Sequence, residues 1–142
     1  MNNDDVQYIN EIGCGYWKSQ VLFVAVEFDV FTLIGDGGKS GKVITKKLGT
    51  NPRATEMLMN ALVSLKLLKK SKEIYCNTAV SKRCLSKNSP DYQGDRIHHF
   101  HNMLDYWSKL SDAVRTGKPT AYDNAEEEVD EKRLREFIRA MH

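Results

Sequence analysis

The stretch Leu33-Ile34-Gly35-Asp36-Gly37-Gly38-Lys39-Ser40-Gly41-Lys42 has the composition of a phosphate loop, with an apolar run leading into glycines and ending in lysine. A P-loop needs Gly-x-x-x-x-Gly-Lys-Ser/Thr, so that backbone amides cradle phosphates while the lysine and hydroxyl complete the site. With Gly41-Lys42 as anchor, Asp36 stands where the first glycine belongs and Val43 where the hydroxyl belongs. With Gly38-Lys39-Ser40 as anchor, the first glycine is Leu33. Both registers fail. A dinucleotide or methyl-donor turn should follow a buried strand, whereas the residues before this loop have helical character. The expected role is a turn between helices, with glycine supplying backbone freedom. No cofactor-binding residue is assigned in this chain.

A second candidate is His98-His99-Phe100-His101, with Asp105 four residues on. His98 and His101 share a helix face. Zinc wants three or four ligands with supporting hydrogen bonds, and one helix offers too few, so no metal ligand is assigned. A pocket-lining or solvated role fits better. No nucleophile–base–orienter spacing appears among Ser, His and Asp, so no catalytic residue is assigned. Cys14, Cys76 and Cys84 are odd in number and form no Cys-x-x-Cys pair, as expected of free thiols in a reducing cytoplasm.

The third candidate is charge. The net formal charge is only +2, but Lys39 to Lys87 holds 12 Lys/Arg against two acids. Such a stretch could face nucleic acid. The helix that would enter the major groove, Pro52 to Lys66, offers Arg53, Asn60 and Lys66 among Glu56, Met57 and Met59, a thin set for reading base edges.

These residues must be held by an ordinary single-domain core, which 142 residues can supply. No apolar run reaches the ~18 residues of a membrane span, and the polar start "MNNDDVQYIN" is no secretory signal. Gly15 to Ile34 is apolar nearly all round, with a bend expected near Phe28-Asp29. A helix of that kind must be buried on several sides, and a partner subunit is the simplest cover. Val43, Ile44 and Leu48 then mark a short helix closed by Gly49. Asn51 caps the next helix, Pro52 opens it, and Leu58, Ala61, Leu62 and Leu65 form its stripe. A hairpin turning at Ser71-Lys72 follows, with Ile74 and Cys76 alternating with Tyr75. Helix-turn-helix plus hairpin makes a winged helix. A short helix capped by Asn77 or Thr78 comes next. A long helix from Asp95 carries Ile97, Phe100, Leu104, Trp107, Ser111 and Val114 on one face and stops at Gly117. A last helix, "DEKRLREFIRAMH", ends the chain. The fold expected is therefore mostly α with a small β-hairpin, a winged helix-turn-helix with added N- and C-terminal helices.

Four segments, "SQVLFVAVEFDVFTLI", "LVSLKLLKKSKEIYCNT", "WSKLSDAVRTGKP" and "FIRAMH", resemble the N-terminal region of small-molecule O-methyltransferases. This S-adenosylmethionine-dependent family includes the hydroxyindole (acetylserotonin) O-methyltransferases. The resemblance implies a winged-helix-like dimerisation domain over 1–120, forming an intertwined homodimer. It also implies a connector and helix over 121–142, leading to a Rossmann-type catalytic domain absent from this chain. The donor, S-adenosylmethionine, would bind in that catalytic domain of the parent enzyme. Tyr16, Trp17, Leu22, Phe23, Val26 and Phe31 would face the partner. Ser19, Gln20, Phe23, His98, His101, Met103 and Trp107 would line the pocket of a small, aromatic hydroxyl acceptor. The implied function is dimerisation and pocket building in a cytoplasmic enzyme, the chain alone being non-catalytic. The alternative is a winged-helix DNA-binding regulator.

Overall fold

The computed structural model describes residues 3–119 and Ile138. The terminal helix expected over 130–142, the "FIRAMH" segment and the 121–142 connector therefore lie outside the described residues, Ile138 apart. The chain divides into two compact units, Met1–Gly94 and Asp95–His142, so the 1–120 domain of the sequence reading is described as two parts.

The first unit opens with α1 (Asn3–Gly13), α2 (Gly15–Glu27) and α3 (Val30–Ile34). The bend expected near Phe28-Asp29 is present, and Asp29 makes it by taking a left-handed backbone (φ +53°). A short polar side chain tolerates that conformation better than most. The break lets α3 turn Val30, Phe31 and Ile34 wholly inward. The α1 helix is an addition to the reading. Its Val6, Ile9 and Ile12 spacing carried the signal inside a polar, acidic start.

Next come β1 (Lys39–Ser40), α4 (Gly41–Leu48), α5 (Pro52–Ser64), β2 (Leu68–Ser71), β3 (Ile74–Asn77) and α6 (Ala79–Cys84). Asn51 caps α5 by accepting the Ala54 amide at 3.1 Å, and Gly49 ends α4 at φ +64°. Thr78 caps α6 in a reciprocal capping box with Ser81. The strands form an antiparallel sheet in the order β1-β3-β2, with Lys39 opposite Tyr75 and Ser40 opposite Ile74. The hairpin expected from sequence thus gains a third strand. The glycine loop that was to be a bare connection supplies it. Phe23 and Val26 from α2, Ile44 from α4, Met59 and Leu62 from α5, Leu68 and Tyr75 from the sheet complete the core with the α3 residues.

In the second unit the expected long helix is broken into α7 (Gly94–Asn102), α8 (Leu104–Ser108) and α9 (Leu110–Thr116). At both breaks the chain tightens to i→i−3 bonds: the Tyr106 amide donates to the Met103 carbonyl at 3.2 Å, and the Lys109 amide to Tyr106 at 3.1 Å. Hydrophobic spacing records a shared face and is blind to such one-turn tightening. Gly117, at φ +69°, ends α9 as expected.

Candidate functional site

The apolar helix α2 is covered on one half and bare on the other. Phe23 (6 % exposed), Val26 and Phe31 lie in this chain's own core. They were expected to face a partner, and the structure places their side chains inside the protomer instead. Val26 and Phe31 are drawn inward by the bend at Asp29 and by α2 packing on α3 and α5. Leu22 is half-buried. Tyr16 and Trp17 are the members of that set that point outward, each 59 % exposed. Their rings meet edge-to-face at 6.2 Å. The outward apolar surface continues onto α1 through Tyr8, Ile9 and Ile12.

Of the pocket residues expected from sequence, Ser19, Gln20 and Phe23 share α2. Ser19 is exposed and Gln20 half-buried. Gln20 lines a cleft of about 470 Å³ between α2 and the α4–α5 pair, walled by Val21, Val24, Phe28, Leu48, Ala54 and Leu58. Its polar groups serve one another. The Thr50 and Thr55 hydroxyls are 2.6 Å apart, and Thr55 donates to the Asn51 carbonyl at 2.8 Å. What the cleft presents is therefore apolar, a feature that helix-by-helix reading did not reveal because three elements build it.

His98, His101, Met103 and Trp107 sit in the second unit. His98 and His101 are one turn apart on α7, Met103 joins α7 to α8, and Trp107 stands on α8, 65 % exposed. The Arg96 guanidinium lies 5.6 Å from the centre of the Phe100 ring on the same helix. Among the described residues, no group of three or more His, Cys, Asp or Glu is arranged to hold a metal ion.

The glycine loop has no phosphate geometry. A helix, α3, precedes it, and its lysine and serine are spent in β1. Gly38 adopts φ +70°, and a Cβ there would stand 2.6 Å from the Cys76 sulfur and 2.9 Å from the Tyr75 carbonyl. That glycine admits β3, not a ligand. The residues of this loop therefore do not fit a methyl-donor site.

The basic middle is partly neutralised in place. Lys70 of β2 reaches Glu56 and Asn60 of α5, each at 3.4 Å, and lies 4.9 Å from the Tyr75 ring centre. The Tyr75 hydroxyl donates to Asn60 at 3.0 Å. Lys82 pairs with Asp36 and Lys87 with Asp29. Asn60, one of the three residues offered for reading a base edge, is thus engaged by the hairpin, which leaves Arg53 and Lys66 of that already thin set. No helix among the described residues is long and apolar enough to cross a membrane.

Comparison with known proteins agrees with this anatomy. Residues 10–87 match the family model described as the O-methyltransferase dimerisation domain. The chain is 34 % identical to acetylserotonin O-methyltransferase of Bos taurus, over 78 % of this chain and 34 % of the relative. It is 31 % identical to 3-hydroxy-5-methyl-1-naphthoate 3-O-methyltransferase of Streptomyces sahachiroi, over 79 % of this chain and 33 % of the relative. Its fold overlays human N-acetylserotonin methyltransferase, solved in complex with SAM, at a TM-score of 0.85 and 26 % identity, covering 99 % of this chain and 45 % of that one. The chain spans about a third of the length of the curated relatives it matches.

Proposed function

This chain belongs to the O-methyltransferase dimerisation domain family, and from that premise we propose that it pairs with a second copy of itself and builds part of an acceptor pocket for a methyltransferase. The observation that carries this reading is the bare aromatic end of α2. Tyr16 and Trp17 stand outward on a helix whose other half is core, and large apolar surface of that kind marks an interaction site. The parent reaction would move a methyl group from S-adenosylmethionine to a hydroxyl of a small aromatic molecule, as the names of the relatives suggest. The donor and the base that accepts the hydroxyl proton would be supplied by the parent enzyme's catalytic domain, and no described residue is proposed for either. This chain's share is orientation. A rigid wall that holds the acceptor hydroxyl in line lowers the entropic part of the barrier. Gln20 is the residue of the first unit proposed for that wall; on the second unit, His98 and Trp107 are proposed in their own right as acceptor contacts.

Sedimentation equilibrium tests the reading. A mass near twice 16.2 kDa at micromolar concentration is expected, and a stable monomer there overturns it. Fluorescence anisotropy with duplex DNA at low salt checks the regulator alternative, because phosphate contacts release counterions and bind most tightly there. The expected result is no saturable binding.

A further inference from the structure

A cavity of about 440 Å³ opens in the first unit and shares no wall residue with the apolar cleft. Its wall is built by Asp36 of the glycine loop, Asn77 at the end of β3, Lys82 and Arg83 of α6, and Ser86 and Ser89 of the turn that follows. The volume lies within the roughly 300–1,000 Å³ range of small-molecule sites, and the dimerisation reading makes no use of it. Two wall groups have hydrogen-bonding capacity left over. Ser86 is only 5 % exposed, yet its hydroxyl has no hydrogen-bond partner among the described residues. The Asn77 amide donates to the Phe31 and Gly35 carbonyls at 2.8 and 3.1 Å, which fixes its orientation. Its buried Oδ1 is left as an acceptor with no partner among the described residues. Buried polar groups in folded proteins are nearly always paired, so both point to a bound partner. Ser89 Oγ accepts the Asp91 amide at 3.2 Å, and its proton stays available to donate.

Charge decides the class of that partner. Lys82 Nζ and Asp36 Oδ1, 2.8 Å apart, link α6 to the glycine loop, and both side chains are more than half exposed. Arg83 is exposed and has no carboxylate within salt-bridge distance among the described residues. A plain anion in this cavity meets Lys82 and Arg83 but is repelled by Asp36. A plain cation meets the reverse difficulty. A molecule carrying both signs on neighbouring atoms satisfies the whole wall. We infer that the cavity binds a free α-amino acid. Its carboxylate takes Arg83 and Lys82 with the Ser86 hydroxyl, and its ammonium donates to the Asp36 carboxylate and Asn77 Oδ1. Exposed ion pairs are weak, so Lys82 and Asp36 separate at little cost, and each regains a charge-assisted contact with the ligand. Ala79 and Pro90 complete the wall and offer apolar contact to the amino acid's side chain.

Isothermal titration calorimetry of the full chain with L-leucine tests the site. Saturable binding with half-saturation at about 1 mM is expected of so small a ligand. The melting temperature should rise by a few degrees at ~20 mM leucine, because only the folded chain binds it. L-Leucinamide, which lacks the carboxylate, and N-acetyl-L-leucine, which lacks the ammonium, should each bind at least about tenfold more weakly. Asp36→Asn and Lys82→Met should each weaken leucine binding about tenfold, and Ser86→Ala about threefold. Should Ser86→Ala fail to fold, the two exposed variants decide. No heat or melting response to leucine at ~20 mM overturns the inference, as does binding that neither Asp36→Asn nor Lys82→Met weakens. Saturable binding of inorganic phosphate that Asp36→Asn strengthens marks a plain anion site and overturns it too.

Discussion

At the residue scale, burial separates positions that looked alike as letters. Phe23 and Trp17 are both large aromatics on α2, yet one is core and the other is bare. An aspartate at Phe23 buries a charge and should unfold the domain, so it reports nothing on pairing. Trp17→Asp is the informative change. The melting temperature of the monomer should stay within a few degrees while dimer mass is lost at micromolar concentration. Gly38 is the opposite case, a small residue with a large burden. Gly38→Ala forces a Cβ against Cys76, Ile74 and the Tyr75 carbonyl at φ +70°. A loss of about 2–4 kcal/mol in urea unfolding is expected from overpacking and backbone strain together. Gly38, one of the glycines that suggested nucleotide chemistry, is thus explained by a strand pairing.

At the element scale, local signals and their tertiary partners divide the work. The Asn51 cap on α5 is local, and Asn51→Ala should cost about 1 kcal/mol in thermal or urea unfolding. The tie between α5 and the hairpin is tertiary. Tyr75→Phe removes the hydroxyl that donates to Asn60 and should cost about 0.5–1.5 kcal/mol. Tyr75, helped by Glu56, also raises the Lys70 ammonium above its ordinary value. The sign follows from that direction: the Lys70 contribution is complete below the unfolded-state value of about 10.4 and fades as pH rises through the higher folded value. Urea titrations of the parent and Lys70→Met should therefore converge at strongly alkaline pH. The α4–α5 pair and the β2–β3 hairpin were legible because caps, turn residues and helical stripes are local. The strand β1 was not, because two residues carry no period and gain their identity only beside β3.

At the scale of the whole molecule, dimerisation couples stability to concentration. A partner that binds only the folded chain raises the melting temperature by mass action. A hundredfold increase in protein concentration should raise the midpoint by several degrees, and Trp17→Asp should abolish that dependence. Scanning calorimetry at two concentrations checks both. A midpoint independent of concentration in the parent chain would contradict a dimer that assembles on folding.

The sequence by itself determined the run from α2 to α6 with its caps, the bend at Asp29, the hairpin and the family, because each is written in neighbouring residues or in segments of recognisable order; α1 and the breaks between α7, α8 and α9 came from the tertiary structure. It also excluded a P-loop, since residue type alone defeats both registers. Tertiary structure alone decided which α2 aromatics are core and which are bare, that β1 exists, and that three helices enclose an apolar cleft. The physical reason is common to all three. Burial and pairing are properties of elements in contact, and a hydrophobic pattern says which face seeks cover without saying whether the cover comes from the same chain or from another.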